Sequence, residues 1–264
     1  MSGFKNYWLK IYESRYFWSH LSKIDLKNKF RRSKLGLLWI CVSPLCLMLI
    51  MSAVFGTVFK QDMVSYAPYI LSGLLFWNIM TDSFVAGSNS IIGSEAYIRQ
   101  FNHPVSIYPL KASLTGIASF AISMLSLIVI MIFIHPVNIV IGIISFPIAM
   151  IIYFILEWTS TIIAAFIGTK YRDYPQLAAL ILQAIWYVSP VFFQESMFEK
   201  NKYLYLLFIC NPITHFLNLI RDPFLNGKFP SLVSICVSTG TVSVMALFAF
   251  LINKKNAKDI IFYI

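Results

Sequence analysis

The sequence predicts an all-α integral membrane protein. Six transmembrane helices are expected, with an N-terminal amphipathic interfacial helix and a re-entrant external element between the fifth and sixth spans. Three observations lead there. The 264 residues are 58% hydrophobic and only 12% charged, with a mean hydropathy of +0.73, whereas soluble proteins carry about 25% charged residues. Charge-free runs are long, and residues 112–156 contain no Asp, Glu, Lys or Arg. A run of about 20 such residues, at 1.5 Å each, crosses a hydrocarbon core of about 30 Å. The basic residues are gathered in a few loops rather than spread, which fixes orientation in a bilayer.

Residues 1–34 carry nine Lys and Arg, interleaved with Phe4, Tyr7, Trp8, Tyr12, Tyr16, Phe17 and Trp18. Phe4, Trp8 and Ile11 recur at helical spacing, which suits a helix lying in the membrane interface. No cleavable signal peptide is expected, because no apolar stretch leads to a small-residue cleavage site. Arg31-Arg32-Ser33-Lys34 holds the start of the first span, 35–59, on the cytoplasmic side. The second span, 68–91, places Asp82 inside the membrane. Residues 94–109 are too polar to cross and are cytoplasmic by parity. The third and fourth spans, 110–134 and 139–168, are joined by the tight outer turn His135-Pro136-Val137-Asn138, and Glu157 lies inside the fourth.

Gly168-Thr169-Lys170-Tyr171-Arg172-Asp173-Tyr174-Pro175 is a charged cytoplasmic turn that opens the fifth span, 176–194. Ser189-Pro190 breaks its far end, where freed backbone groups need protein or water as partners. Residues 203–220 carry no formal charge and are long enough to count as another span, but Asn211-Pro212, His215 and Asn218 interrupt them, and the re-entrant element is placed at 203–221. Such a break suits a segment that dips into the membrane and returns. Loop charge separates the alternatives weakly: six spans place 16 Lys and Arg inside and five outside, and seven spans place 15 and six. Six is preferred on the Asn-Pro break. The last span is 229–253, so 35–253 form one membrane domain, 254–264 are a cytoplasmic tail, and both termini are cytoplasmic.

The net charge of +10 reads as topology and contact with anionic lipid; nucleic-acid binding is not expected from a chain that sits mostly in lipid. Cys41, Cys46 and Cys236 lie in apolar runs, which argues against a disulfide framework or a zinc site. The four His are in four different regions, and no His-Glu-x-x-His, Cys-x-x-Cys or Gly-x-Ser-x-Gly is present, so no metal or catalytic residue is expected. There is no Gly-x-x-x-x-Gly-Lys-Ser/Thr, so the chain does not bind ATP through a P-loop. Asp82 and Glu157 read either as proton-relay groups or as structural carboxylates with a partner. The aromatics, 16% of the chain, read as interfacial belts or as a stacking surface for sugar rings.

Several stretches resemble one family, the permease subunit of ABC exporters of lipid-linked polysaccharides: the O-antigen, capsule and teichoic-acid group. Arg31-Arg32-Ser33-Lys34-Leu35-Gly36-Leu37-Leu38-Trp39 with Ser43-Pro44-Leu45 is similar to its first span. Gly73-Leu74-Leu75-Phe76-Trp77-Asn78 is similar to its second, and Phe101-Asn102-His103-Pro104 through Tyr108-Pro109-Leu110 to the loop that follows. Gly168-Thr169-Lys170-Tyr171-Arg172-Asp173 and Ser189-Pro190-Val191 resemble the two ends of the fifth span, and Asn211-Pro212 with Arg221 the external element.

The resemblance implies a homodimer in the cytoplasmic (inner) membrane of a bacterium, with two separate cytoplasmic ABC ATPase subunits that bind ATP and Mg. This chain would hold no cofactor. Residues 94–104, with Glu95, Tyr97, Arg99, Phe101 and His103, would receive the ATPase motion. Lys170, Arg172 and Asp173 would form a second ATPase contact, and the N-terminal helix a gate for the substrate head group. His103 stands where the family often has a basic residue. Arg31, Arg32 and Lys34 would attract the pyrophosphate of the lipid carrier. Trp39, Phe59, Trp77, Trp186 and Tyr187 would line the glycan path, and Asn211, Pro212 and Arg221 would close the outer mouth. The function expected is ATP-driven export of a lipid-linked polysaccharide, O-antigen first among the candidates. The alternatives are a permease of a drug or small-lipid exporter, and a membrane-embedded transferase using Asp82 or Glu157.

Overall fold

The computed structural model describes residues 9–101, 103–195, 202–256 and 260–263. Phe4, Tyr7 and Trp8 of the expected interfacial helix lie outside the described residues, as do residues 257–259 of the tail. Among the described residues every regular element is helical. Five helices are long and apolar enough to cross a membrane: Gly36–Phe59, Met63–Asn89, Ile107–Ile134, Pro136–Lys170 and Leu232–Asn256.

Helix α1 (Arg15–Asn28) lies on the side of the bundle and leads through an exposed turn into α2 (Trp39–Phe59). Helix α3 (Met63–Thr81) starts where the Asp62 carboxylate accepts a hydrogen bond from the Ser65 amide at 3.0 Å, the usual means of capping free amides. It runs on through a π-helical turn at Asp82–Ala86 and a 3-10 turn at Gly87–Asn89. A short helix, α4 (Glu95–Gln100), precedes the hairpin of α5 (Ile107–Ile134) and α6 (Pro136–Lys170). Pro136 opens α6 at the first position, where its missing amide costs nothing. Helix α7 (Tyr174–Val188) follows, then α8 (Lys202–Cys210), α9 (Pro212–Phe224) and α10 (Leu232–Asn256).

Helix α3 is the centre of the bundle: Tyr66, Ile70, Leu71, Leu75 and Phe76 are fully buried. Its neighbours leave apolar faces bare. Leu49, Ile50, Val54 and Val58 of α2 and Leu247, Phe248 and Leu251 of α10 are exposed. In lipid these faces carry no hydrophobic penalty, because the tails are as apolar as the side chains.

The sequence places the fifth span at 176–194, but its helix is shorter. Helix α7 has 15 residues, about 22 Å at the usual rise. It stops at Val188 because Pro190 disfavours helical geometry at the preceding residue; Ser189 is extended, with φ −94° and ψ 151°. Residues 203–221 are not one helix either. The Asn211 side chain accepts from the Ile213 amide at 3.0 Å and Pro212 opens α9, so the local chemistry stops α8 and starts a new helix.

Candidate functional site

The ends of α6 and α10 pack together at one end of the bundle, the basic end, where the start of α2 packs on α5. There Ser106 donates to Asn253 Oδ1 at 2.8 Å, joining the start of α5 to α10. Arg31, Arg32 and Lys34 occupy the turn between α1 and α2, all three exposed and without an ion pair among the described residues. Arg32 has a left-handed backbone, φ 72°, uncommon outside glycine. Trp39 ends the turn; its indole donates to Ser33 Oγ at 3.0 Å.

Helix α4 and the residues after it pack against α1. The Phe17 ring stands 4.6 Å from His103, 5.6 Å from Phe101 and 6.2 Å from Tyr97, within the range of favourable aromatic pairs. His103 Nδ1 also shares a hydrogen bond with Ser14 Oγ at 3.1 Å. The far half of α1 is held by Asp25, paired with the buried Lys111 of α5 at 2.9 Å, and by the Ser22 carbonyl, which accepts from Thr115 Oγ1 at 3.3 Å. Lys29, just beyond α1, reaches Asp82 at 3.5 Å. So one helix touches α4, α5 and the π-turn. Glu95 and Arg99 pair with each other at 2.8 Å on the exposed side of α4. Lys170, Arg172 and Asp173 are exposed on a separate turn, and no hydrogen bond, ion pair or ring contact joins them to α4 among the described residues.

Four of the five aromatics expected along the path join one chain of ring contacts. Trp77 and Trp186 stack at 5.8 Å. Trp186 continues to Phe192 at 5.0 Å, Phe192 to Phe55 at 5.3 Å, and Phe55 to Phe59 at 5.8 Å. Tyr187 borders this ladder at 6.2 Å from Trp186 and is largely exposed, whereas Trp39 sits apart at the basic end. Trp77 is nearly buried, so it backs the ladder rather than facing outward. A groove of about 540 Å³ runs alongside, walled by Trp77, Thr81, Asp82, Asn89, Gln183 and Trp186. The Trp186 indole nitrogen is buried with no hydrogen-bond partner among the described residues.

At the opposite end the sequence places Arg221 in an external mouth; the structure buries it to 4% exposure. It donates through Nε to Ser72 Oγ (3.2 Å), through Nη1 to the Pro190 carbonyl (2.7 Å), and through Nη2 to the Tyr69 and Val191 carbonyls (3.2 Å each). Its guanidinium lies 3.6 Å from the Tyr69 ring centroid, a cation–π distance. Tyr66 and Tyr69 donate to the Phe192 and Phe193 carbonyls at 2.8 and 2.6 Å. Gly73 permits this approach, since a Cβ there would stand 3.0 Å from Val191 and 3.1 Å from Nη2. Asn211 joins the same corner by donating to Ser189 Oγ at 3.3 Å, and Pro212 follows as the first residue of α9.

Residues 16–225 match the family model described as ABC-2 type transporter. The chain belongs to the ABC-2 type transporter family. It is 22% identical over 250 residues to an O-antigen export system permease protein of Myxococcus xanthus, covering 91% of this chain and 92% of that one. A permease of the same description from Klebsiella pneumoniae is 24% identical over 220 residues, covering 83% and 84%. A polysialic acid transport protein of Escherichia coli is 24% identical over 222 residues, covering 80% and 82%. The ABC-2 match runs from α1 to just beyond α9, so the α1–α4 contact and the Arg221 corner both lie inside it.

Sequence reasoning gave this ABC-2 chain its polar and aromatic candidates but not their partners. Phe17 stands out only as one of the aromatics of residues 1–34 and Lys29 only as one of their nine cations; Ser14, Lys111, Phe55, Phe192 and Phe193 are not singled out by the sequence. The available signal was the aromatic density of the first 34 residues and a lone Lys111 beside a long charge-free run.

Proposed function

We propose that the chain is the membrane-spanning subunit of an ATP-driven exporter that carries a lipid-linked polysaccharide, O-antigen in the first instance, across the cytoplasmic membrane of a bacterium. Two copies pair, and two ABC ATPase subunits dock at the basic end, where ATP and Mg are bound and hydrolysed. In this reading both termini are cytoplasmic, α7 is the fifth of six spans, and residues 203–221 form the re-entrant outer element. The names of the relatives support it. So do the bare apolar faces of α2 and α7, which offer a second copy a surface.

The observation that carries the reading is the hold of α4 on α1. Tyr97 and Phe101 have 36% and 46% of their surface open while their rings meet Phe17. A partner pushing on α4, with Glu95, Arg99 and His103 alongside, moves α1, and α1 ends at the basic turn. Arg31, Arg32 and Lys34 attract the diphosphate there. Lys170, Arg172 and Asp173 form the second docking point. The glycan then follows the groove beside Trp186 and Tyr187, with Trp77 and Phe59 behind it and Trp39 at its inner end; Asn211, Pro212 and Arg221 hold the outer end.

The test is export itself. In a host lacking this chain, surface glycan should disappear and lipid-linked glycan should accumulate inside. Re-expression should restore export, and the triple variant Arg31→Ala, Arg32→Ala, Lys34→Ala should not. Unchanged surface glycan in the deletion strain would remove the proposal.

A further inference from the structure

A second cavity, of about 330 Å³, lies within the protomer at the basic end, within the size range of small-ligand sites. Lys29, Phe30 and Trp39 line one side, Asn78 and Asp82 another, and Ser119, Phe120 and Ser123 of α5 a third. Lys29, Phe30 and Trp39 bracket the basic turn in sequence, so the cavity opens beside Arg31, Arg32 and Lys34. Asp82 also walls the groove along α7, which makes it the residue shared by the two spaces. It opens the π-turn, an irregularity frequent at functional sites.

The polar groups of this cavity combine several acceptors with the Lys29 ammonium and the Asn78 amide. Ser119 donates to the Thr115 carbonyl at 2.9 Å, and Ser123 donates to the Ser119 and Ile40 carbonyls at 2.9 and 3.4 Å. Both hydroxyls therefore present lone pairs to the cavity. Asp82 presents carboxylate oxygens, and its pairing with Lys29 offsets the cation. The Asn78 amide has no hydrogen-bond partner among the described residues. Behind the wall, a Cβ at Gly116 would collide with Glu157 Oε1; Glu157 Oε2 is buried without a hydrogen-bond partner among the described residues. A phosphate brings acceptors only; beyond the Lys29 ammonium and the Asn78 amide it meets the Asp82 carboxylate and two hydroxyls already committed as donors. A sugar brings hydroxyl donors for the oxygens and C–H faces for Phe30, Trp39 and Phe120.

We propose that this cavity is a saccharide-binding site that takes the sugar nearest the lipid carrier while the basic turn holds the diphosphate. This rests on the export reading above. It assigns Asn78, Asp82, Ser119 and Ser123 to sugar recognition, and it leaves Arg31, Arg32 and Lys34 with the diphosphate.

The experiment titrates the complete transporter in nanodiscs with two probes, a polyprenyl diphosphate and the same lipid carrying one N-acetylhexosamine. The wild type should bind the sugar-bearing probe about tenfold more tightly, the worth of one or two hydrogen bonds with stacking. Ser119→Leu, which fills the cavity, should abolish the preference and leave affinity for the bare diphosphate unchanged. Asn78→Ala, at an exposed position, should reduce the preference without disturbing the fold. Equal binding of both probes by the wild type overturns the proposal, and so does a preference that survives in both variants. If neither probe binds, the export reading falls together with the site.

Discussion

The two ends of the bundle hold a cation in opposite ways. At the end near Ser189–Pro190, Arg221 meets three main-chain carbonyls, a hydroxyl and a tyrosine face, and the four bonds span α3, α9 and the segment after α7. At the basic end, Lys29 meets one carboxylate at 3.5 Å, and both side chains stay partly open to solvent. A guanidinium fixed by several acceptors defines one geometry, whereas a single half-exposed ion pair contributes little and exchanges readily. The comparison teaches that the Arg221 corner is a fixed joint, and that the end carrying α1 and α4 is suited to movement.

The largest effect that would break this comparison is expected at the fixed joint. Arg221→Leu leaves the carbonyls of Tyr69, Pro190 and Val191 without their donor and should cost on the order of 3–5 kcal/mol. Thermal unfolding in detergent should register it, with Arg221→Lys falling between the variant and the wild type. If Arg221→Leu melted like the wild type, the corner would not be a joint. Gly73→Ala should cost about 1–2 kcal/mol, because Val191 and the guanidinium must give way to the new methyl group. The same melting assay reads it, and Arg221→Lys combined with Gly73→Ala should cost less than the sum of the two, since both act on one contact. The smallest stability effect is expected at the basic end. Phe17→Ala, at a half-buried ring, should lower the melting point least of the three and yet uncouple nucleotide hydrolysis from glycan export. Hydrolysis and export that stayed in proportion would show that α1 carries no motion.

The fold was legible where chemistry is local. Long charge-free runs became α2, α3, α5, α6 and α10, and the Asn211-Pro212 break became the start of α9 for the reason that Asn caps and Pro opens a helix. Ser189-Pro190 announced a break, but not that α7 would stop there and return its carbonyls to Arg221. That pairing joins segments distant in sequence, and an arginine among polar neighbours reads as exposed. The small residues Ser72 and Gly73 inside an apolar span were the trace it left. Asp82 was visible as a charge in a membrane, while its partner Lys29 was one of nine cations in the first 34 residues. Pattern alone does not single it out. His103, which stands where the family often has a basic residue, packs its ring on Phe17 and shares a hydrogen bond with Ser14 Oγ, neither of which the sequence indicates.

The left-handed turn at Arg32 has a consequence for how folding and activity divide at a single position. Any side chain there carries strain of about 1 kcal/mol that glycine would not. Exchange of Arg32 for glycine should therefore raise the melting temperature and, in the same protein, weaken capture of an anionic head group. At such a residue robustness and usefulness would move in contrary directions, a backbone strain kept alongside a positive charge.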